Sequence, residues 1–347
     1  ECPMNNSAVS LEDLGWSPAH FALPHLDANQ CLSRVTVEHR GGYELAGPEG
    51  VFEAVLDGLL RESATNPTDY PAVGDWVIHS MDPVDHHRRG IQAVLPRKSR
   101  ILRKAPGAAP IPQVVAANVD VLGVVISADQ SLDLQIVERY LVIAEGGGAC
   151  PVVIVNKSDL GGAASTRDQL MQRGISCPIA VISAKNGEGL SEISRLFGAG
   201  DTLAVTGPSG VGKSTLVNRL LGEESLATGS VTQDGSGRHT TIRRELLVVD
   251  HGVVIDTPGL REVQIWDSMG LENVFYEISA ASRNCKFADC THRGEPGCSV
   301  LSEVDGGQID INRLSSYLSL WEEISILERE IDEYQRSQRR RRDGKRT

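Results

Sequence analysis

The stretch "VIVNKSDL", residues 153 to 160, decides how the rest of the chain is read. Its apolar half, continued back through Pro151 and Val152, is a strand suited to burial on both faces. Its polar half, Asn156-Lys157-Ser158-Asp159, sits at the strand end. There the Asp159 carboxylate can accept from the N1–H and the 2-amino group of guanine together. Adenine offers an acceptor at N1 and no 2-amino group, so the same carboxylate discriminates against it. A base-reading loop of this kind ordinarily follows a phosphate-binding loop. Here the phosphate loop, "GPSGVGKST", starts only at Gly207.

That second stretch runs Gly207, Pro208, Ser209, Gly210, Val211, Gly212, Lys213, Ser214 and Thr215, and it fits G-x4-G-K-[ST] with a strand before it and a helix after. The glycines let backbone N–H groups turn around phosphates beside a helix N-terminus. Lys213 is expected to reach the β- and γ-phosphates, and Ser214 to bind Mg²⁺. Ser183-Ala184-Lys185, after "IAVI", supplies a second contact to the base. Asp256 ends the strand "GVVID" and completes a magnesium site, while the amide of Gly259 in the following turn senses the γ-phosphate. Between the phosphate motifs lies "GSGRHTTIRREL". A threonine there, Thr240 or Thr241, should finish the Mg²⁺ coordination. The sequence does not choose between them, and we place Thr241 with Ser214 and Asp256. The residue after Gly259 is Leu260, which cannot orient water. His239, able to hydrogen-bond water near neutral pH, is the candidate catalytic group.

Four motifs, each at a strand end, are thus present with base loops first and phosphate loops second. A parallel sheet tolerates that order, because cutting one loop and joining the old termini leaves every strand in place. The expected fold class is α/β, with a circularly permuted P-loop GTPase domain, a doubly wound parallel sheet, over 113–265. An ATP-dependent P-loop enzyme is the alternative that Asp159 disfavours.

Residues 31–104 read as short β-rich runs separated by turns, which suggests a small barrel, either an OB-fold or an SH3-like one. Before them, 1–30 form an N-terminal extension with room for one helix around "SLEDLGW". "APGAAPIP", 105–112, reads as a linker. Cys285-x4-Cys290-x-His292-x5-Cys298 offers three thiolates and one imidazole within fourteen residues. This is the ligand set of a closed, structural zinc site without catalytic use. It belongs to a module over 266–335 whose helix carries Tyr317, Leu320, Ile324, Leu327, Ile331 and Tyr334 at spacings of three and four. That stripe is expected to pack on its own domain rather than form a coiled coil.

The net charge of −12 on 347 residues argues against a nucleic-acid partner until its distribution is considered. Between His86 and Lys104 lie Arg88, Arg89, Arg97, Lys98, Arg100, Arg103 and Lys104 without one acid, and a basic tail fills 336–347. Such local density can meet phosphate; a solvated face is the plainer account. No apolar run approaches the ~20 residues of a membrane span, and "ECPMNNSAVS" lacks the layout of a secretory signal. Seven cysteines, an odd number, fit a reducing compartment, so a cytoplasmic location is expected.

Taken in order, "VVAANVD", "NKSDL", "SAKNGEGL", "GPSGVGKSTLVN", "GRHTT", "DTPGLRE" and "CKFADCTHRGEPGC" resemble one family, the ribosome small-subunit-dependent GTPases, from about residue 31 to about 335. The resemblance implies an N-terminal OB-fold, a permuted GTPase domain and a C-terminal zinc module. It also implies a late role in 30S assembly: binding to the 30S subunit and its 16S rRNA near the decoding region, stimulation by the subunit, and release of other assembly factors. A catalytic histidine of that family falls on His239. Where the family commonly continues with a third threonine this chain has Ile242, which leaves the Mg²⁺ threonine less fixed. Hydrolysis coupled to release is the leading function; a GTP-switched RNA-binding scaffold is the alternative. Nothing in the sequence demands more than a monomer.

Overall fold

The computed structural model describes residues 8–85, 87–105, 107, 109–198, 200–222, 244–250, 252–256, 265–266 and 268–343. The first five strands are β1 (Gln30–His39), β2 (Gly42–Gly47), β3 (Gly50–Leu56), β4 (Trp76–Asp85) and β5 (Arg88–Val94), with a short helix α1 (Gly58–Ser63) after β3. β1 pairs with both β2 and β4, so the order β1-β2-β3-β5-β4 closes on itself, with β3 and β5 parallel. That closed order is the OB arrangement rather than the SH3-like one. Val35, Tyr43, Leu45, Ala54, Val77 and Ile91 fill the interior.

Next come β6 (Arg100–Lys104), β7 (Pro112–Ala117), β8 (Val121–Ser127), α2 (Leu134–Gly146), β9 (Cys150–Asn156), α3 (Ala163–Gln172), β10 (Ile179–Val181), α4 (Leu190–Leu196), β11 (Thr202–Thr206), α5 (Lys213–Leu221), β12 (Glu245–Val249) and β13 (Gly252–Asp256). In space the strands run β10-β9-β8-β11-β13-β12. β8, β9, β10, β11 and β13 are mutually parallel and β12 is an antiparallel edge. Every residue of β8 is buried, as a strand covered on both faces requires. Counting instead from β11, the sheet has the doubly wound order 2-3-1-4-5-6, and the α4–β11 connection joins what would be the two termini. The chain is therefore a circular permutation of the ordinary domain. Its direction of winding reverses between β11 and β8, which places the binding crevice at their carboxyl ends.

Three expectations need correction. "SLEDLGW" is a series of turns, not a helix, because Gly15 stands at φ +86° and Pro18 follows. Its Leu14, Trp16 and Phe21 are buried instead, with Trp16 stacked on Phe21 at 5.1 Å and edge-on to Trp76 at 4.9 Å. "APGAAPIP" is the connection of a β6–β7 hairpin, in which Leu102 pairs with Val114. It does not behave as a spacer between separate bodies: the barrel joins the α/β sheet through a β1–β12 bridge, Val37 opposite Glu245, and through Arg244 to Glu38 at 3.4 Å. Arg34 crosses the same junction fully buried. It donates to the carbonyls of Leu14 and Gly74 and to the Thr202 hydroxyl, and burial pulls it down to about 10.

The basic run is the third correction. Arg97 grips Asp75 at 2.6 Å and the carbonyls of Thr68 and Tyr70, and Lys98 meets Asp120 at 2.5 Å. Arg103 donates to Gln113, Lys104 approaches Glu330, Arg88 pairs with Asp85, and Arg89 lies over the Phe52 ring. Six of the seven cations thus have intramolecular partners, five of them carboxylates, so the net positive charge of this run is smaller than its composition suggested.

The C-terminal module comprises α6 (Met269–Val274), α7 (Tyr276–Ser282), α8 (Ser299–Asp305) and α9 (Ile311–Asp343). α6 crosses α2 so closely that a Cβ on Gly270 would stand 2.0 Å from the Val142 carbonyl oxygen. In α9, Leu314, Leu320, Ile324 and Leu327 are buried, and Arg139 of α2 pairs with Glu323. Leu320 and Ile324 of the stripe belong to the core that α2 of the α/β sheet also enters, so the stripe is not confined to the module's own residues, and the helix continues unbroken past 335 into the basic tail. No helix among the described residues is long and apolar enough to cross a membrane.

Candidate functional site

The parallel registers Ser127–Asn156 and Val205–Asp256 bring four strand ends to one edge of the sheet. The turn after β11 needs its glycines for space as well as conformation. Gly207 stands at φ +138°, and a Cβ there would lie 2.1 Å from the Val125 carbonyl oxygen. Gly212, at φ +93°, caps α5 and would drive a Cβ to 2.4 Å from Asn156 Nδ2. Between them Pro208 is half-buried, Ser209 and Gly210 are exposed and Val211 is buried; Ser214 and Thr215 are exposed on the first turn of α5. Lys213 Nζ donates to the carbonyls of Gly207 at 2.9 Å and Pro208 at 2.7 Å, so its ammonium already lies over the mouth of the turn.

Asn156, almost wholly buried, connects the two halves of the site. Its Nδ2 donates to the Val211 carbonyl at 2.8 Å, and its Oδ1 accepts from the Ala184 amide at 3.0 Å. The next residue, Lys157, takes the left-handed conformation at φ +62° and turns the chain into the Ser158–Leu160 3-10 turn. The Ser158 amide donates to Ile182, locking this turn to the Ser183-Ala184-Lys185 loop. Ser183 Oγ donates to Asp159 Oδ1 at 2.6 Å, which orients the carboxylate. Asp159 itself is exposed.

Asp256 lies beside the phosphate turn on β13. Burial raises its carboxyl above the usual range, with Lys213 pulling the other way. A carboxylate disfavoured as an anion by burial is one that a divalent cation would stabilise. Together with Ser214 it fits the oxygen donors that Mg²⁺ takes. His239, Thr240, Thr241 and Gly259 lie outside the described residues.

Two residues at this edge escaped the sequence reading. Asp129, just beyond β8, pairs with Lys157 Nζ at 3.4 Å, and a hydrogen bond from Ser127 holds its carboxyl below the usual range. Its signal was present, a carboxylate two residues past a strand end on the crevice edge. Arg219 of α5 donates Nε to the Ala184 carbonyl at 3.2 Å and a terminal nitrogen to the Lys185 carbonyl at 2.5 Å. A lone helix arginine gives no such signal in sequence.

The second constellation is in the loop between α7 and α8. Ligand atoms of Cys285, Cys290, His292 and Cys298 all lie within 4.8 Å of one another. The His292 Nδ1 stands 3.6 Å from Cys285 Sγ and 3.4 Å from Cys298 Sγ, and the two sulfurs are 3.9 Å apart. Tetrahedral zinc with Zn–S of about 2.3 Å and Zn–N of about 2.0 Å has edges of about 3.8 Å and 3.5 Å, so the donor set fits that ion. His292 holds φ +59°, and its Nδ1 faces the two sulfurs. Glu295 accepts from the backbone of Thr291, Arg293 and Gly294 and pins the loop around it.

The model of the family described as RsgA GTPase matches residues 94–266. The small ribosomal subunit biogenesis GTPase RsgA of Opitutus terrae is 39% identical over 339 residues, 93% of this chain and 92% of that protein. The protein of the same name from Streptomyces avermitilis is 37% identical over 347 residues, with 97% and 92% covered. Among solved structures, YjeQ from Thermotoga maritima superposes with a TM-score of 0.62 at 27% identity, covering 85% of this chain and 98% of that one. YloQ, described as a circularly permuted GTPase, gives 0.62 at 24% identity and shares the fold.

Proposed function

The chain belongs to the RsgA GTPase family, and from that premise we propose that it hydrolyses GTP during maturation of the small ribosomal subunit, which serves as partner and activator. The observation that carries this reading is Asn156, whose single side chain ties a base-reading turn to a phosphate-binding turn. Relatives at this identity bear the name small ribosomal subunit biogenesis GTPase.

In this reading Asn156, Lys157, Ser158 and Asp159 with Ser183, Ala184 and Lys185 take the guanine. The amides of 207–213 and the Lys213 ammonium hold the β- and γ-phosphates. Ser214 and Asp256, with Thr240 or Thr241, would hold Mg²⁺, which when bound would supply positive charge against the charge developing on the phosphates. Water attacks the γ-phosphorus, the bridging oxygen leaves with GDP, and the proton of water ends on inorganic phosphate. His239 orients that water, and Gly259 senses the γ-phosphate. Cys285, Cys290, His292 and Cys298 hold one structural Zn²⁺. A monomer working in the cytoplasm, touching 16S rRNA and other assembly factors, completes the proposal.

Turnover of GTP measured with and without purified 30S subunits, with 50S subunits and ATP as controls, tests it. A large rise confined to 30S and GTP is expected. Indifference to 30S would remove the ribosome from the reading. His239→Ala is expected to lower the stimulated rate by about 10²-fold while GTP affinity stays within twofold. If stimulation survives the substitution, His239 is not the catalytic group. Metal analysis should find one zinc per chain, lost in Cys290→Ser; a full complement in that variant would exclude the four-ligand site.

A further inference from the structure

The four elements that meet at the crevice are joined by a closed ring of hydrogen bonds, and its last member is a side chain outside every nucleotide motif. From the phosphate turn the ring passes through the Val211 carbonyl to Asn156, and from Asn156 to the Ala184 amide. It then returns from the carbonyls of Ala184 and Lys185 to Arg219, on the helix that the phosphate turn itself starts.

We propose that Arg219 is a positioning residue for guanine recognition, fixing the 183–185 turn to α5 so that the turn, Asn156 and the phosphate loop move as one body. The proposal rests on the reading of 183–185 as a base-contacting turn.

The turn has a small internal framework of its own. The Gly187 amide donates to the Ser183 carbonyl at 2.8 Å, and Ser183 and Glu188 form an isolated bridge. Those bonds shape the turn without fixing where it sits over the crevice. On its leading side the turn is held by the Ser158–Ile182 and Ile182–Val155 bonds and at the Ala184 amide by Asn156, while its trailing carbonyls, Ala184 and Lys185, are held by Arg219. A guanidinium suits this task because its planar fork can meet two successive carbonyls at once, whereas an ammonium is a single point of donation. Ser183 belongs to the same turn and orients Asp159, so displacement of the turn reaches the carboxylate that distinguishes guanine from adenine.

A plainer account exists. Arg219 lies in the last turn of α5, where any cation interacts favourably with the helix dipole. Lysine would serve that purpose as well as arginine, and the two accounts therefore part on Arg219→Lys.

The experiment measures equilibrium affinities of the full-length protein for GDP, GTP, ADP and ATP, with GDP dissociation rates and melting temperatures. The variants are Arg219→Ala, Arg219→Lys and, as an adjacent exposed control, Asn218→Ala. Because Arg219 is exposed, water competes for its bonds and the effect is moderate. Both Arg219 variants are expected to bind GDP and GTP about fivefold more weakly through faster release. Their preference for guanine over adenine nucleotide should fall by a similar factor, and Arg219→Lys should keep the parent melting temperature. Asn218→Ala should match the parent throughout.

Parent-like affinity and discrimination in Arg219→Lys, with a loss only in Arg219→Ala, would assign the residue to the helix dipole and overturn the proposal. Parent-like values in both variants would overturn it outright. A parent protein that does not prefer GDP over ADP would instead bring down the base-reading site itself, a distinct result.

Discussion

Replacing Asp159 by asparagine is expected to weaken GTP binding by about 10²–10⁴-fold and to transfer the preference to xanthosine triphosphate. The carboxylate is exposed, yet it is not free to turn, since Ser183 donates to Oδ1 at 2.6 Å and Ser158 anchors the turn beneath it. Guanine presents two donors in one plane, N1–H and the 2-amino group, and each bond to a charged acceptor contributes about 1.5–3 kcal/mol. Two such bonds, about 3–6 kcal/mol, give the stated range. Asp159→Asn offers one acceptor and one donor. Against guanine the donor meets the 2-amino group and is repelled; against xanthine it meets the carbonyl at position 2 while the acceptor keeps N1–H. The gain for xanthosine triphosphate thus has the same origin as the loss for GTP. Equilibrium binding of GTP, xanthosine triphosphate and ATP to the parent and the variant decides the matter. Retention of GTP affinity within threefold in Asp159→Asn would exclude Asp159 as the base reader.

The features that could be read in sequence share a physical property: their information is local. "VVIVN" and "VLGVVIS" announce doubly covered strands because both faces of one short segment are apolar. The permutation followed from the order in which four strand-end motifs occur, since each motif needs only its own strand and turn. Cys285, Cys290, His292 and Cys298 fall within fourteen residues, so spacing alone placed them together. The "SLEDLGW" error was local, a glycine and a proline within four residues, whereas the misreading of the basic run concerns partners distant in the chain. Composition counts the charge of Arg97 or Lys98 but does not see Asp75 or Asp120, each 22 residues away. β12 went unread as a strand, and nothing within "ELLVV" shows that it runs antiparallel or borders the barrel. α3 went unread because only Thr166 and Leu170 of its ten residues are buried, too few for a periodic stripe. Asn156 is the intermediate case: its motif was legible, while its role as a strut depended on Val211, 55 residues downstream.

The greatest loss of stability is expected from a residue no motif contains. Glu138 sits on α2 amid apolar neighbours and is fully buried. Its Oε1 accepts from Arg173 Nε at 2.7 Å and from Arg313 at 3.0 Å, and its Oε2 accepts from Arg173 at 3.1 Å. Arg173 ends α3 and also reaches Ser316 and the Asn312 carbonyl, while Arg313 belongs to α9 and pairs with Glu277 of α7. One carboxylate therefore holds two buried guanidiniums, one from the α/β domain and one from the C-terminal module. Glu138→Ala removes the shared partner and leaves Arg173 with the half-exposed Asp310 and Arg313 with Glu277, so the cost falls at about 3 kcal/mol, the lower end for a buried pair broken from one side. In a chain of 347 residues that lowers the melting temperature by about 4 °C or more. Glu138→Gln keeps the acceptor oxygen without the charge and should fall between parent and Glu138→Ala. Because the cluster spans the junction, the loosening should be directional. Hydrogen exchange is expected to quicken in 276–282 and 310–320, where α7 and α9 lose their anchor, while β8 and β11 keep their protection. A melting temperature within 2 °C of the parent in Glu138→Ala would show that Asp310 and Glu277 suffice for the two arginines, and that the C-terminal module is held by α6 on α2, the α9 stripe and Arg139 with Glu323.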